Sequence, residues 1–82
     1  MRVDGENSII VRKDYGKIHF CFKEVMAQKG INRNQLAKRA GFRFEVADRF
    51  YQGKLERIDV DVLARVCYVL GCSIADVMKY ER

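Results

Sequence analysis

The chain has 82 residues, which is enough for one small domain with a compact core. It is 49% hydrophobic, yet it contains no apolar run near the ~20 residues of a membrane-spanning helix and no signal-peptide order at its start, so we expect a cytoplasmic protein without membrane contact. Sixteen basic and eleven acidic residues give a net charge of +5, a moderate excess that favours polyanionic partners without requiring them.

The first elements along the chain are short and weakly patterned. Residues 1–7 have little to bury and are expected to be disordered, with a single domain following over residues 8–82. β-branched residues at 8–12 and polar–apolar alternation at 17–20 are separated by turn-forming residues. This pattern is compatible with a short N-terminal β-hairpin or strand.

Two helices are predicted next. Apolar residues at helical spacing indicate the first over about residues 21–29, with Gly30 as its end. The second is predicted over residues 33–40, because Asn32 can act as its N-cap and Gln35 lies three residues further on, which is a capping-box pattern. The buried face of this second helix is expected to carry Leu36, Ala37 and Ala40.

A tight turn joins the second helix to a third. Gly41 favours a left-handed C-cap, the apolar Phe42 follows in the turn, and the third helix is predicted over residues 44–52 with Gly53 as its end. Two short helices that meet at a tight turn form a helix-turn-helix pattern, whose second helix can enter the DNA major groove. The third helix has an inward stripe of Ala47, Phe50 and Tyr51 and an outward face of Phe44, Glu45, Asp48, Arg49 and Gln52.

The C-terminal part of the chain predicts two more helices. A basic loop over residues 54–58 is followed by Asp59, which can cap a helix over residues 60–70. Ser73, with an acidic residue three positions later, opens a last helix over residues 74–79. The expected fold class is therefore all-α, with five helices around one core.

Many positions match one family pattern in order and without a gap: Ile31, Asn32, Leu36-Ala37, Gly41, 44–52, Tyr51-Gln52-Gly53-Lys54, Arg57-Ile58, Val60-Asp61-Val62-Leu63, Cys67, Leu70-Gly71-Cys72 and Asp76-Val77. In these residues the chain resembles the Cro/CI-type helix-turn-helix domains, also called the XRE or lambda-repressor-like family, over roughly residues 18–80. The resemblance implies a compact five-helix lambda-repressor-like domain and a prokaryotic DNA-binding transcription regulator, here expected to be a repressor. The chain departs from the family at Arg33, where glutamine is usual, and at Glu45 and Asp48, where many relatives have small polar residues.

The cationic surplus lies on the helix-turn-helix segment. Residues 31–58 contain seven basic and three acidic residues, although most charge clusters are only a solvated face. Arg33 lies at a predicted helix N-terminus, where free N–H groups and the helix dipole attract an anion. By resemblance and by sign, the DNA phosphate-binding candidates are Arg33, Arg43, Gln52, Lys54 and Arg57.

Base reading is predicted for Phe44, Glu45, Asp48 and Arg49 on the outward face of the third helix. Arg49 can pair with guanine, Glu45 can accept from cytosine N4 and Phe44 can pack on a thymine methyl, each discriminating by ~1–3 kcal/mol. One alternative is that Glu45 and Arg49 pair with each other for only ~0.2–0.5 kcal/mol. Another is that phosphates repel the Asp48 carboxylate, so that it reads no base.

A single recognition helix contacts few base pairs, so we expect a homodimer on a pseudo-palindromic operator with half-sites about one helical turn apart. The candidate dimer surfaces are the strand at Ile9-Ile10-Val11 and the last helix with Tyr80. The alternative function is a protein-interaction module of the same fold, such as an antitoxin-like or anti-repressor partner without strong DNA binding.

Metal and catalytic sites are not predicted. Among His19, Cys21, Cys67 and Cys72, only Cys67 and Cys72 have a Cys-x₄-Cys spacing, and no second ligand pair with the spacing of a structural zinc site accompanies them. Cys67 also lies on the apolar stripe of its helix, so core packing is the preferred interpretation of the cysteines. Three cysteines without a Cys-x-x-Cys pair also argue against a disulfide framework. The lone histidine has no nucleophile, glycine-rich phosphate loop or carboxylate pair beside it, so we expect no enzyme, no cofactor and no small-molecule substrate.

Overall fold

The structure, a computed structural model, describes residues 15–82. Three predictions lie outside this range: the disordered segment 1–7, the strand over 8–12 and the dimer surface at Ile9-Ile10-Val11. The described elements are, in chain order, β1 (Lys17–Phe20), α1 (Phe22–Lys29), α2 (Arg33–Ala40), α3 (Phe44–Gln52), α4 (Val60–Leu70), α5 (Ile74–Val77) and β2 (Met78–Glu81). A mostly helical fold with five helices is thereby confirmed for this part of the chain, and α1 begins one residue later than predicted.

Side-chain caps start two of the longer helices. At α2 the Asn32 side chain accepts a hydrogen bond from the Gln35 backbone N–H (2.8 Å), and the Asn32 N–H donates to the Gln35 side chain (2.9 Å), which completes a capping box. At α4 the Asp59 carboxylate accepts from the N–H groups of Asp61 (2.8 Å) and Val62 (3.2 Å). These bonds satisfy N–H groups that have no partner within the helix.

The prediction of a helix over residues 74–79 is wrong beyond Val77. Met78 has extended dihedral angles (φ −137°, ψ 135°), and β2 pairs antiparallel with β1 in the register Lys17–Glu81 to Phe20–Met78. The Cys21 N–H also donates to the Val77 carbonyl (2.8 Å), which continues this ladder. A strand is favoured here because β1, distant in sequence, supplies backbone partners that a local helix pattern does not reveal.

The capping box of α5 has an electrostatic consequence. Both the backbone N–H (2.9 Å) and the hydroxyl (3.2 Å) of Ser73 donate to the Asp76 carboxylate. These hydrogen bonds stabilise the charged carboxylate and therefore lower the pKa of Asp76 from its ordinary value. The bond from the Ser73 backbone N–H has the largest effect. The stabilisation from this cap is therefore present at neutral pH and is lost as the pH falls through the lowered pKa.

The hydrophobic core positions α3 within the domain. Phe50 of α3 is 3% exposed, and its ring meets that of Phe22 edge-on with centroids 4.9 Å apart. Phe42, in the turn between α2 and α3, stacks on the Phe50 ring with centroids 6.5 Å apart. Truncating a buried phenylalanine of this kind costs about 3–5 kcal/mol. The side chains that are less than 2% exposed include Phe22, Met26, Leu36, Val66, Leu70 and Val77.

Gly16 allows the chain to enter β1. Its φ of +86° lies in the left-handed region, and a Cβ at this position would come within 2.4 Å of the Glu81 carbonyl oxygen at the end of β2. Gly30 also has a positive φ (+67°), yet a Cβ there would have nothing within 4 Å. Both glycines have a left-handed backbone conformation that favours glycine, but only Gly16 lacks the space for a Cβ atom.

We expect Asn32→Ala to lower the free energy of unfolding by about 1 kcal/mol, because it removes the N-cap of α2. Asn34→Ala is the matched control, since Asn34 is exposed on the same helix and is not its cap. Urea denaturation of both variants measures the difference. Equal stability of the two variants would contradict the assigned role of the cap.

We expect Gly16→Ala to separate β1 from β2, while Gly30→Ala leaves this pairing intact. Both substitutions carry the cost of a left-handed alanine, about 1–2 kcal/mol, but only the first adds a collision with the strand backbone. Amide hydrogen exchange at His19 and Lys79 measures the pairing directly. Unchanged protection at these amides in the Gly16 variant would show that the close approach is not required.

Candidate nucleic-acid interface

The outward face of α3 is polar and accessible. Ala47 and Phe50 lie on the side of α3 that packs against the core. The side chains on the opposite side of the helix form a stripe that faces away from the core. Within this stripe Asp48 is half-buried, whereas the other four side chains are exposed. We call this stripe the reading face; it consists of Phe44, Glu45, Asp48, Arg49 and Gln52.

An ion pair joins α2 to the reading face. The Arg33 guanidinium, at the first position of α2, donates from Nη1 to Oδ1 of Asp48 on α3 at 2.5 Å. Gln52 Nε2 donates to the same oxygen at 3.5 Å. A predicted phosphate contact and a predicted base contact are therefore bonded to each other within the protein.

The guanidinium of Arg33 also packs on aromatic rings. Its central carbon lies 4.8 Å from the ring centroid of Tyr51 and 5.5 Å from that of Phe44. The planar guanidinium stacks well on such rings, which adds to the attraction of the carboxylate. Since 39% of the Arg33 side chain stays exposed, further N–H donors of its guanidinium remain open to solvent or to a ligand.

Arg33 borders the reading face on one side. On the other side lies an open groove of about 840 Å³ between α3, the loop 53–59 and the start of α4. Arg49 lies where α3 meets this groove, and Lys54 and Arg57 come from the loop. Glu56 and Asp59 add two carboxylates to the same wall. The groove has an apolar floor formed by Val46, Phe50, Leu55, Ile58 and Val62.

The charges of the reading face are therefore unequally compensated. Asp48 has Arg33 as its counter-ion, whereas Glu45 and Arg49 form no ion pair with each other, although both are exposed and four residues apart. Within residues 15–82 the ion pairs between arginine or lysine and a carboxylate are Arg33–Asp48 and Asp61–Arg65. The structure therefore does not contain the alternative in which Glu45 and Arg49 form a salt bridge with each other.

The predicted site residues fall into three groups. Arg33, Asp48 and Gln52 form one hydrogen-bonded group, and Phe44 lies beside it through the Arg33 guanidinium. Around the groove lie Arg49, Lys54 and Arg57. The third group is at the N-terminal end of α3, where Arg43 occupies the N-cap position and Glu45 the first turn, both exposed.

Sequence analysis did not predict the bond between Arg33 and Asp48. The two residues are fifteen positions apart, so the i, i+4 spacing that reveals ion pairs within one helix does not apply. A weaker signal was present, because Arg33 and Asp48 are both departures from the resembled family and carry opposite charges. Sequence analysis also does not predict the contact of Tyr51 with the Arg33 guanidinium, because it places Tyr51 in the inward stripe of α3.

The histidine and cysteines lie away from the reading face. His19 Nε2 is 2.8 Å from a carboxylate oxygen of Glu81 across the two-stranded sheet. Burial, and secondarily the neighbouring Cys67, raises the pKa of the Cys72 thiol. Within residues 15–82, no three side chains of His, Cys, Asp or Glu are grouped so that they could hold a metal ion. The same range has no helix with the length and apolarity needed to cross a membrane.

Comparison with known proteins identifies the family. The model of the Cro/C1-type HTH DNA-binding domain matches residues 22–82, which is most of the chain, so the chain belongs to this family. A crystal structure of a "putative DNA-binding protein" from Bacteroides fragilis is similar in fold, with a TM-score of 0.67 at 21% sequence identity, and the match covers 77% of this chain and 100% of that one. No curated protein sequence matches the chain significantly.

A double-mutant cycle on Arg33→Ala and Asp48→Ala measures the ion pair that links α2 to α3. Because both side chains are more than one third exposed, we expect a coupling of about 0.2–1 kcal/mol in the free energy of unfolding, decreasing with added salt. The control cycle uses Asp61 and Arg65, a more exposed pair within α4, which should give about 0.3–0.5 kcal/mol. Zero coupling between Arg33 and Asp48 would mean that the pair does not join the helices in solution.

Proposed function

We propose that the protein is a sequence-specific DNA-binding transcriptional regulator, a prokaryotic cytoplasmic repressor that binds a pseudo-palindromic operator as a homodimer. One observation carries the proposal. The exposed polar stripe of α3 has cationic side chains on both of its borders, Arg33 on one and Arg49, Lys54 and Arg57 on the other. A helix lying in the major groove has a phosphate backbone on each side, and this is the charge arrangement that it needs.

We assign the phosphate contacts to the borders of the reading face. Lys54 and Arg57 lie in the loop beside α3, and Arg43 precedes α3, where a sugar-phosphate backbone would pass. Arg33 combines its remaining N–H donors with the N-terminus of α2, whose backbone N–H groups favour an anion. Such contacts fix the position of the protein along DNA but carry no sequence information.

We assign base reading mainly to Arg49, Glu45 and Phe44. Arg49 is exposed and free of Glu45, so its two parallel N–H donors are available for the acceptors of guanine. Glu45 is exposed in the first turn and can accept from cytosine N4. Phe44 is 41% exposed, which leaves part of its ring available for a thymine methyl group.

Asp48 takes a different role in this proposal from the one expected at first. Its carboxylate holds the Arg33 guanidinium and thereby orients it beside the reading face. A bound cation also removes most of the repulsion that a phosphate would exert on Asp48. We therefore treat Asp48 as a residue that positions Arg33, with Gln52 as a second donor to it.

The rival function is a protein-interaction module of the same fold. Its main support was the presence of two acidic residues on the reading face, and the pairing of Asp48 with Arg33 leaves only Glu45 uncompensated there. The two functions differ in salt dependence. Neutralisation of several DNA phosphates releases counterions, so the affinity of a DNA-binding protein falls steeply as salt rises.

The first functional test measures binding of the full chain to DNA selected from a random pool. We expect Arg49→Ala to relax the preference at one base pair by about 1–3 kcal/mol, and Arg33→Ala to weaken binding to all sequences alike. Adding Asp48→Asn to Arg33→Ala should restore part of the loss, since it removes the carboxylate that Arg33 had neutralised. Fluorescence anisotropy at several salt concentrations gives both the affinities and their salt slopes.

Arg65→Ala is the control for a simple loss of one positive charge. Arg65 binds Asp61 (3.0 Å) and the Ala40 carbonyl (3.4 Å) at the opposite end of α2 from Arg33, so its removal should leave the salt slope unchanged. Binding that is absent, or independent of salt, would reject DNA binding and favour the rival function. An equal, sequence-independent loss from the Arg33 and Arg49 variants would reject the division between phosphate and base contacts.

A further inference from the structure

The C-terminal end of α4 brings two cysteines together. Gly71, in the left-handed conformation (φ +63°), ends the helix, and its N–H donates to the Tyr68 carbonyl (3.2 Å). The Cys72 N–H donates to the Cys67 carbonyl (3.1 Å). These two hydrogen bonds form a Schellman motif, in which the side chains of the two residues joined by the outer bond commonly contact each other. The two residues in these positions are Cys67 and Cys72.

The thiols of these two cysteines lie next to each other. Their side chains are hydrogen-bonded, and both pack against the hydrophobic core. Each residue is half-buried, so neither is enclosed by the core. The backbone bond fixes the two residues relative to each other, and the side-chain bond shows that their sulfur atoms meet.

The third cysteine has a different position. Cys21 is also half-buried, but it occupies the N-cap position of α1, and its N–H donates to the Val77 carbonyl at the end of α5. It lies outside the Schellman motif. Cys21 is therefore an internal control for the reactivity of a half-buried thiol that the motif does not position.

We propose that Cys67 and Cys72 form a redox-sensitive modification site, at which a low-molecular-weight disulfide such as oxidised glutathione produces an intramolecular disulfide. A disulfide needs two Cα atoms within about 4.4–6.8 Å of each other, and a backbone hydrogen bond between the same two residues is compatible with this separation. The inference goes beyond the proposed function and does not depend on DNA binding.

The reaction consists of two successive thiol–disulfide exchanges. The thiolate of the first cysteine attacks one sulfur of oxidised glutathione, which forms a mixed disulfide and releases one glutathione thiolate. The second cysteine loses its proton to water, and its thiolate attacks the protein sulfur of the mixed disulfide, which releases the other glutathione thiolate. The two protein thiols are oxidised to one disulfide, and one oxidised glutathione is reduced to two glutathione molecules.

The environment of Cys72 indicates which cysteine reacts first. Burial, and secondarily the neighbouring Cys67, raises the pKa of the Cys72 thiol, which lowers its thiolate fraction at neutral pH. We therefore assign the first attack to Cys67 and the second to Cys72, which is already in contact with the sulfur that it must attack.

The disulfide would connect the end of α4 to the start of α5. α5 continues directly into β2, so the bond lies at the junction between the helical core and the two-stranded sheet. Local opening of this junction would then have to work against a covalent bond. In a compartment that keeps thiols reduced the pair rests as two thiols, and an excess of oxidised glutathione drives the exchange forward.

The first experiment identifies the product by peptide mass spectrometry after incubation of the folded full chain with oxidised glutathione. We expect the peptides that contain Cys67 and Cys72 to lose two hydrogen atoms in mass and to carry no glutathione, while Cys21 is either unmodified or carries one glutathione. Dithiothreitol should reverse the change. A chain with glutathione on both Cys67 and Cys72, or with neither of them oxidised, would overturn the proposal.

Single substitutions provide the matched controls. Cys67→Ser and Cys72→Ser should each leave a stable glutathione adduct on the remaining cysteine of the pair, because the second exchange is impossible. Cys21→Ser should form the internal disulfide like the wild type. Circular dichroism first shows that each variant is folded, and the wild-type product tests the proposal without them. Loss of the internal disulfide in a folded Cys21 variant would overturn the assignment.

The second experiment measures the rate of ring closure. We expect the mixed disulfide to close on the order of tenfold faster in the folded chain than in the chain unfolded by urea, because the motif orients the two thiols. In the oxidised protein, hydrogen exchange at the Gly71 and Cys72 amides should also be slower than in the reduced protein. Equal closure rates in the folded and unfolded chains would show that the fold does not prepare the pair, and would overturn the proposal.

Discussion

The candidate site depends on how α3 is anchored to the core. The Phe50 ring contacts those of Phe22 and Phe42, and Ala47 on the same side of α3 is fully buried. A nine-residue helix that is held along one side must present its other side to solvent. The reading face and its cationic borders are therefore consequences of packing, and a change in that packing would move every proposed DNA contact together.

The ion pair between Arg33 and Asp48 adds an electrostatic layer to this arrangement. It joins the first turn of α2 to the middle of α3, and the Arg33 guanidinium also packs on the ring of Tyr51. At its degree of exposure the pair contributes little to global stability, but it determines where a cation lies next to the reading face. Acidic residues on a DNA-reading helix are not all equivalent, because Asp48 carries its own counter-ion and Glu45 does not.

The two-stranded sheet lies beside the C-terminal end of α3, where a Cβ at Gly53 would be 3.9 Å from Cβ of Phe20. It is short, and a ribbon of this kind is stable only because Phe20 and Met78 pack against the helical core. Ile18 and Tyr80, which pair with each other in the ribbon, are 46% and 60% exposed and lie beyond the part that the core covers.

The sequence alone determined the helices with strong local signals: the capping box at Asn32, the apolar period of α3, and the glycines that end the helices. It also indicated the family and the cationic surplus of residues 31–58, because these depend on residue type and order. Only the tertiary structure decided that Met78–Glu81 is a strand and that Arg33 binds Asp48. Both depend on partners fifteen to more than fifty residues away, and local propensity contains no information about which distant groups the fold brings within hydrogen-bond reach.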